Sequence, residues 1–154
     1  MSSRSMLGTS VLVAASLLMA GCGDSASSAA TPLPPGYYIS ISNMSFSPLN
    51  LEAPAGATIT VLNQETMAHS VTQQAAAGAF LPGAPAGSTP FDTGLFTGKK
   101  TFVLPAGLAD GTVLHYFCTS HTSLMITPNG TITIRAAAAP VDGGPYTPGG
   151  AGGY

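Results

Sequence analysis

The sequence predicts an all-β protein, a small Greek-key β-sandwich. Its folded unit is expected to span residues 37–135 of the 154. Three observations predict this class. Short segments alternate apolar and polar residues, the period of two that buries one side of a strand and wets the other. Gly (19) and Pro (13) interrupt the chain too often for a helical bundle. No stretch of the unit repeats apolar residues at the helical period of about 3.6.

The elements follow in order. Residues 38–42 (Tyr-Ile-Ser-Ile-Ser) alternate cleanly, and residues 57–62 (Ala-Thr-Ile-Thr-Val-Leu) alternate again after the turn Pro54-Ala55-Gly56. Residues 70–72, 100–104, 113–118 and 131–135 supply four further strands, with Gly, Pro or Asp between most of them. Pro128-Asn129-Gly130 reads as a turn leading into the last strand. Residues 73–89 read as a long loop with room for one short turn, and there is no internal repeat.

Both flanks differ from this unit. Residues 22–36 form a small, polar, proline-bearing tether, expected to be flexible and to stiffen toward its end. Residues 136–154 are Ala, Pro and Gly with almost no periodicity, and are expected to be disordered. At the N-terminus, Arg4 precedes an apolar run, Val11 to Ala20, too short to span a bilayer. That run ends in Met19-Ala20-Gly21-Cys22, which resembles a bacterial lipoprotein lipobox with Met in place of the usual Leu. The resemblance implies removal of residues 1–21 and a lipid on Cys22. Gly23 rather than Asp follows the cysteine, which points to the outer membrane. An ordinary signal peptide is the alternative, and either one implies export to the periplasm or outer surface.

Charge narrows the partners. Charged residues make up 6% of the chain and the formal net charge is -2. There is no basic patch, so nucleic acid is not an expected partner. Export also makes the two cysteines informative. With lipid on Cys22, Cys118 is the lone thiol in an oxidising compartment, where it needs burial or a metal. A Cys22–Cys118 disulfide is the competing reading, and the lipobox already accounts for Cys22.

The chemistry concentrates in His115-Tyr-Phe-Cys-Thr-Ser-His-Thr-Ser-Leu-Met125, at a strand end and the loop after it. Leu114, Tyr116 and Cys118 share one strand face and are expected to point inward, with His115 and Phe117 pointing away. His121 follows three residues after Cys118, Met125 four after that, and His69 must come from another strand. Two imidazoles, a thiolate and a thioether are the donor set of copper electron-transfer sites. Zinc also accepts Cys and two His but seldom takes Met. By strand parity His115 is a surface residue, and Met44 and Met67 read as packing residues.

With these residues in place, the unit resembles a cupredoxin, the plastocyanin–azurin family of blue copper proteins. The resemblance spans residues 37–135 and rests on several segments. Phe46-Ser-Pro-Leu-Asn-Leu51, Ala55 to Asn63 and His69-Ser-Val71 are similar to the first half of that family. Phe91 to Phe96 and Thr101-Phe102 are similar to its middle, and Gly111-Thr112, Tyr116-Phe-Cys118 and His121 to its copper end. It implies one copper ion held by His69, Cys118 and His121, with Met125 axial. It also implies that Ser70 ties the two ligand loops together and that Thr119 supports the same network. One departure is that three residues separate His121 from Met125, where plastocyanins usually have four and amicyanin-like members two.

The expected function is a one-electron carrier, monomeric, without turnover of a substrate. It would exchange electrons with redox proteins of the envelope and be held to the membrane through Cys22. A copper-storage or copper-delivery lipoprotein is the alternative, since fold alone does not assign function. Nitrite-reductase or laccase chemistry needs more histidines than the 3 present. A dinuclear centre needs two cysteines in the loop, and there is one.

Overall fold

The computed structural model describes residues 30–84 and 89–146. The leader, Cys22, most of the tether and residues 147–154 of the tail lie outside the described residues. Those residues hold β1 (Thr31–Pro32), β2 (Tyr37–Ser42), β3 (Ser45–Ser47), β4 (Asn50–Ala53) and β5 (Thr58–Asn63). β6 (Thr72–Gln73), β7 (Gly98–Val103), β8 (Val113–Phe117), β9 (Asn129–Ile134) and β10 (Pro145–Tyr146) follow. No helix occurs among the described residues, and none is long and apolar enough to cross a membrane.

The expected sandwich is present. One sheet has the order β3-β2-β5-β7 and the other β4-β9-β8-β6. Both are mixed, with β2 parallel to β5 and β4 parallel to β9. Every connection from β3 through β8 crosses between the sheets. The alternation read from sequence sets which side chains meet in the middle. Ile39, Ile41, Ile59, Val61 and Phe102 face Leu114, Tyr116, Ile132 and Ile134, all buried. Phe91 stacks on Phe102 with ring centroids 4.5 Å apart, and Phe46 meets the Tyr116 ring edge-on at 5.0 Å. Burying each such side chain contributes on the order of 1.5–3 kcal/mol, so this layer provides most of the stability that holds the loops in place.

Several expectations are corrected. Phe117 does face away from Cys118, yet it is buried, because the loop after β6 folds over it and Phe80 packs on its ring at 6.0 Å. Residues 129 and 130 are not a turn but the start of β9, paired with Phe117 and Tyr116 of β8. β3 and β4 escape an alternation search because each is only three or four residues long. Of the predicted strand at residues 70–72 only Thr72 joins a ladder, in β6 with Gln73. Met67 is exposed rather than packed, whereas Met44 does pack against the core.

The flanks also differ from expectation where they are described. β1 pairs with β10, and the Gly36 and Val141 backbones exchange two hydrogen bonds of 2.8 and 2.9 Å. The Tyr37 hydroxyl donates to the Ala138 carbonyl at 2.8 Å, and Tyr146 is buried. Residues 136–146 are therefore laid against the chain that enters the sandwich. Composition hides this, because the pairing uses backbone groups that Ala, Gly and Pro share with every other residue.

Candidate metal centre

Two loops at one end of the sandwich supply the donors, and a third segment braces them through Phe96. At the end of β5, Asn63 is fully buried and organises residues 64–68 from within. Its amide nitrogen donates to the carbonyls of Met67 at 2.8 Å and Phe96 at 3.0 Å, while its Oδ1 accepts from the Glu65 N–H at 2.9 Å. His69 is then locked by two backbone hydrogen bonds with Phe96, of 3.1 and 2.9 Å. β8 delivers Cys118 by strand parity, fully buried on the inward face with Leu114 and Tyr116. The chain next folds tightly: Leu124 and Met125 N–H groups both donate to the His121 carbonyl at 3.1 Å.

These constraints bring His69, Cys118 and His121 together, their ligand atoms all within 4.8 Å of one another. Cys118 Sγ lies 3.7 Å from His69 Nδ1 and 3.5 Å from His121 Nδ1. Donor bonds of about 2.0–2.3 Å at trigonal to tetrahedral angles separate neighbouring donors by roughly 3.5 Å. Both sulfur–nitrogen distances therefore fit a single ion shared by Cys118 with either imidazole. Met125 is buried in the same apolar cluster as Cys118, and its turn brings it back under His121. His115 stands outside the group: it is half-buried, and only its carbonyl is engaged nearby, accepting from Gln74 N–H.

His69 has a partner that sets its orientation. Glu65 Oε2 lies 2.7 Å from His69 Nε2. A carboxylate there takes the Nε2 hydrogen of the neutral ring and leaves the Nδ1 lone pair facing Cys118. The same carboxylate's Oε1 accepts from Met44 N–H at 2.6 Å, and the Met44 carbonyl accepts from Ile126 N–H at 2.7 Å. Glu65 thus ties the His69 loop to the segment just after Met125. Burial holds His121 below its ordinary pKa, helped by the nearby His69 and opposed by Glu65. A neutral imidazole is the form that ligates metals.

The residues expected to join the ligand loops do so. Ser70 N–H donates to Cys118 Sγ at 3.4 Å, and Ser70 Oγ accepts from Thr119 N–H at 3.0 Å. Glu65 was not singled out from sequence. Its four-residue spacing from His69 is a helical pairing signal, and no helical period accompanies it. Thr72 and Asp92, which extend the Ser70 network, carry no local signal at all.

Neither a protein-family model nor a curated protein matches the chain. Solved structures that it resembles include a reduced Cu(I) form of an amicyanin variant, at 18% identity and a TM-score of 0.47, covering 68% of this chain and 92% of that one. A purple cupredoxin from Nitrosopumilus maritimus is similar at 20% identity and a TM-score of 0.44, covering 64% and 99% respectively. A pseudoazurin from Sinorhizobium is similar at 22% identity and a TM-score of 0.47, covering 64% and 72%.

Proposed function

We propose that the chain is a type 1 copper protein that carries single electrons in a bacterial cell envelope. The observation that carries this reading is the convergence of His69 Nδ1, His121 Nδ1 and Cys118 Sγ, spaced for one ion. The buried thiolate, with the Met125 sulfur in the same cluster, favours copper over harder ions. Copper bound there would alternate between Cu(II) and Cu(I), one electron at a time. His69, Cys118 and His121 would be the equatorial ligands and Met125 the axial one.

The protein's part in transfer is positional. His69 is fixed by Phe96 and Glu65, and Cys118 by β8 and Ser70, so the donors need not rearrange when the charge changes. His121 is partly exposed at the rim, beside the exposed Leu124 and Ile126 of its own loop. Met67 and Leu95, on the loops around His69, are exposed as well. An apolar rim of this kind suits a brief encounter with a redox protein, with weak dependence on salt. Lipid on Cys22 would hold the domain near membrane-bound partners and raise its effective concentration there.

The test is a Cu(II) titration of the Cys22→Ser chain, followed by visible absorption and EPR. An intense thiolate-to-copper band, narrow hyperfine splitting and reversible reduction are expected. Tight binding without the band would replace this reading with copper storage or delivery. No binding would leave a structural module.

Glu65 provides a second check. Glu65→Ala leaves the buried His69 Nε2–H and Met44 N–H without their acceptor. Copper affinity is expected to fall about 10- to 100-fold, measured by competition with a chromogenic chelator. Glu65→Gln keeps one acceptor oxygen and is expected to lose less. Equal affinity in wild type and Glu65→Ala would show that the carboxylate does not orient the ring.

A further inference from the structure

We propose that Asp92 is a positioning residue for the metal centre, acting through a one-way chain of hydroxyls that ends beside Cys118. The inference rests on the copper reading above for its consequence, but not for its geometry. Thr72 Oγ1 donates to Asp92 Oδ1 at 2.8 Å. Thr72 Oγ1 and Ser70 Oγ lie 3.0 Å apart, and Ser70 Oγ and Thr119 Oγ1 lie 3.1 Å apart. Ser70 and Thr72 are essentially inaccessible to water, so each hydroxyl must find its partners within this row.

Direction follows from counting hydrogens. A carboxylate only accepts, and a hydroxyl has a single hydrogen. Thr72 spends its hydrogen on Asp92, so the Thr72–Ser70 contact must be donated by Ser70. Ser70 has then none left for Thr119, so the Thr119 hydroxyl must donate to Ser70. Both acceptor positions of Ser70 Oγ are filled from Thr119, one by the hydroxyl and one by the backbone N–H at 3.0 Å. An acceptor at the far end thus polarises the whole row toward itself. Without it, Thr72 can donate to Ser70, Ser70 can turn its hydrogen toward the Thr119 hydroxyl, and Ser70 no longer accepts from both Thr119 groups.

The two residues so fixed are the neighbours of two donors. Ser70 follows His69, and its N–H donates to the Cys118 sulfur; Thr119 follows Cys118. Hydrogen bonding at the cysteine sulfur is one of the levers on a copper site's potential. Asp92 sits outside the donor cluster, on the segment that pairs with Thr72 and leads to Phe96. It also accepts from Gly94 N–H at 2.9 Å, so a purely local structural role is the competing explanation.

The experiment separates the two by breaking the row at different places in the Cys22→Ser chain. Asp92→Ala removes the terminal acceptor, and Thr72→Val removes the middle hydroxyl while leaving Asp92 and its Gly94 bond intact. Asp92→Asn loses the charge but keeps an acceptor oxygen. Amide hydrogen exchange in the metal-free protein is the first readout, with the β5 amides as a check on folding. Asp92→Ala and Thr72→Val are each expected to speed exchange at Thr119 N–H about tenfold. The double variant should do no more than either single one, and Asp92→Asn should stay near wild type. In the copper-loaded protein, the potential should be lower in Asp92→Ala than in Asp92→Asn, although both have lost the same charge. Additive effects, or a Thr119 amide unmoved by Thr72→Val, would overturn the proposal, as would equal potentials in the two Asp92 variants. A chain that takes up no copper would sink the functional reading, and the exchange data would still decide the hydroxyl row.

Discussion

Replacing Cys118 with serine is expected to abolish the visible charge-transfer band of the copper-loaded protein. It is also expected to weaken copper binding by more than the roughly 10- to 100-fold that loss of an outer partner costs. The sulfur is fully buried between two imidazole nitrogens at 3.5 and 3.7 Å and takes a hydrogen bond from Ser70 N–H. A serine hydroxyl is a neutral, hard oxygen donor at neutral pH, with no thiolate electrons to transfer to copper. The fold should survive, because the new hydroxyl keeps Ser70 N–H as a partner and avoids the about 1–3 kcal/mol that an unpaired buried polar group costs. Circular dichroism checks the fold, and absorption with EPR checks the site. A band that persists in Cys118→Ser would mean that the thiolate lies elsewhere.

Gly130→Ala is expected to destabilise the protein by about 3 kcal/mol, at the upper end of what overpacking a filled core costs. A Cβ at residue 130 would sit 2.1 Å from Cζ of Tyr116 and 2.3 Å from its oxygen. The ring has nowhere to go: it is fully buried, packs against Phe46, and lies in register with Gly130 across the β8–β9 ladder. Gly78→Ala is the control. Its φ is +68°, nothing lies within 4 Å of the added carbon, and the expected cost is the backbone penalty alone, about 1 kcal/mol. Chemical denaturation of both variants measures the difference. Similar losses would show that the Tyr116 ring yields.

The contrast between these two glycines shows how far local reading reaches. Asn129-Gly130 carries the composition of a turn, and the turn is not there. Residue 130 lies in the β8–β9 ladder and is glycine because a tyrosine on the neighbouring strand occupies the space a side chain would need. Phe117 shows the same limit from the other side. Its parity was legible and its burial was not, since the loop that covers it arrives from more than thirty residues earlier in the chain, at Phe80. The tail teaches it a third time, as backbone pairing of residues 31–32 with 145–146 leaves no trace in side-chain pattern.

What could be read directly from the chain was whatever depends on near neighbours. Alternation at a period of two identified most of the sandwich strands and put Cys118 on the inward face. The donor types, their order and the short spacing from Cys118 to His121 followed from the same stretch of residues. Apart from Ser70 and Thr119, what orients those donors lay beyond such reading. Glu65 reaches His69 across a turn held by a buried asparagine, and Asp92 reaches Thr119 through two hydroxyls of one intervening segment, those of Thr72 and Ser70. Periodicity encodes which way a side chain points. Which loops then meet depends on closing the two sheets on one core, and hydrogen-bond direction depends on every partner being present at once.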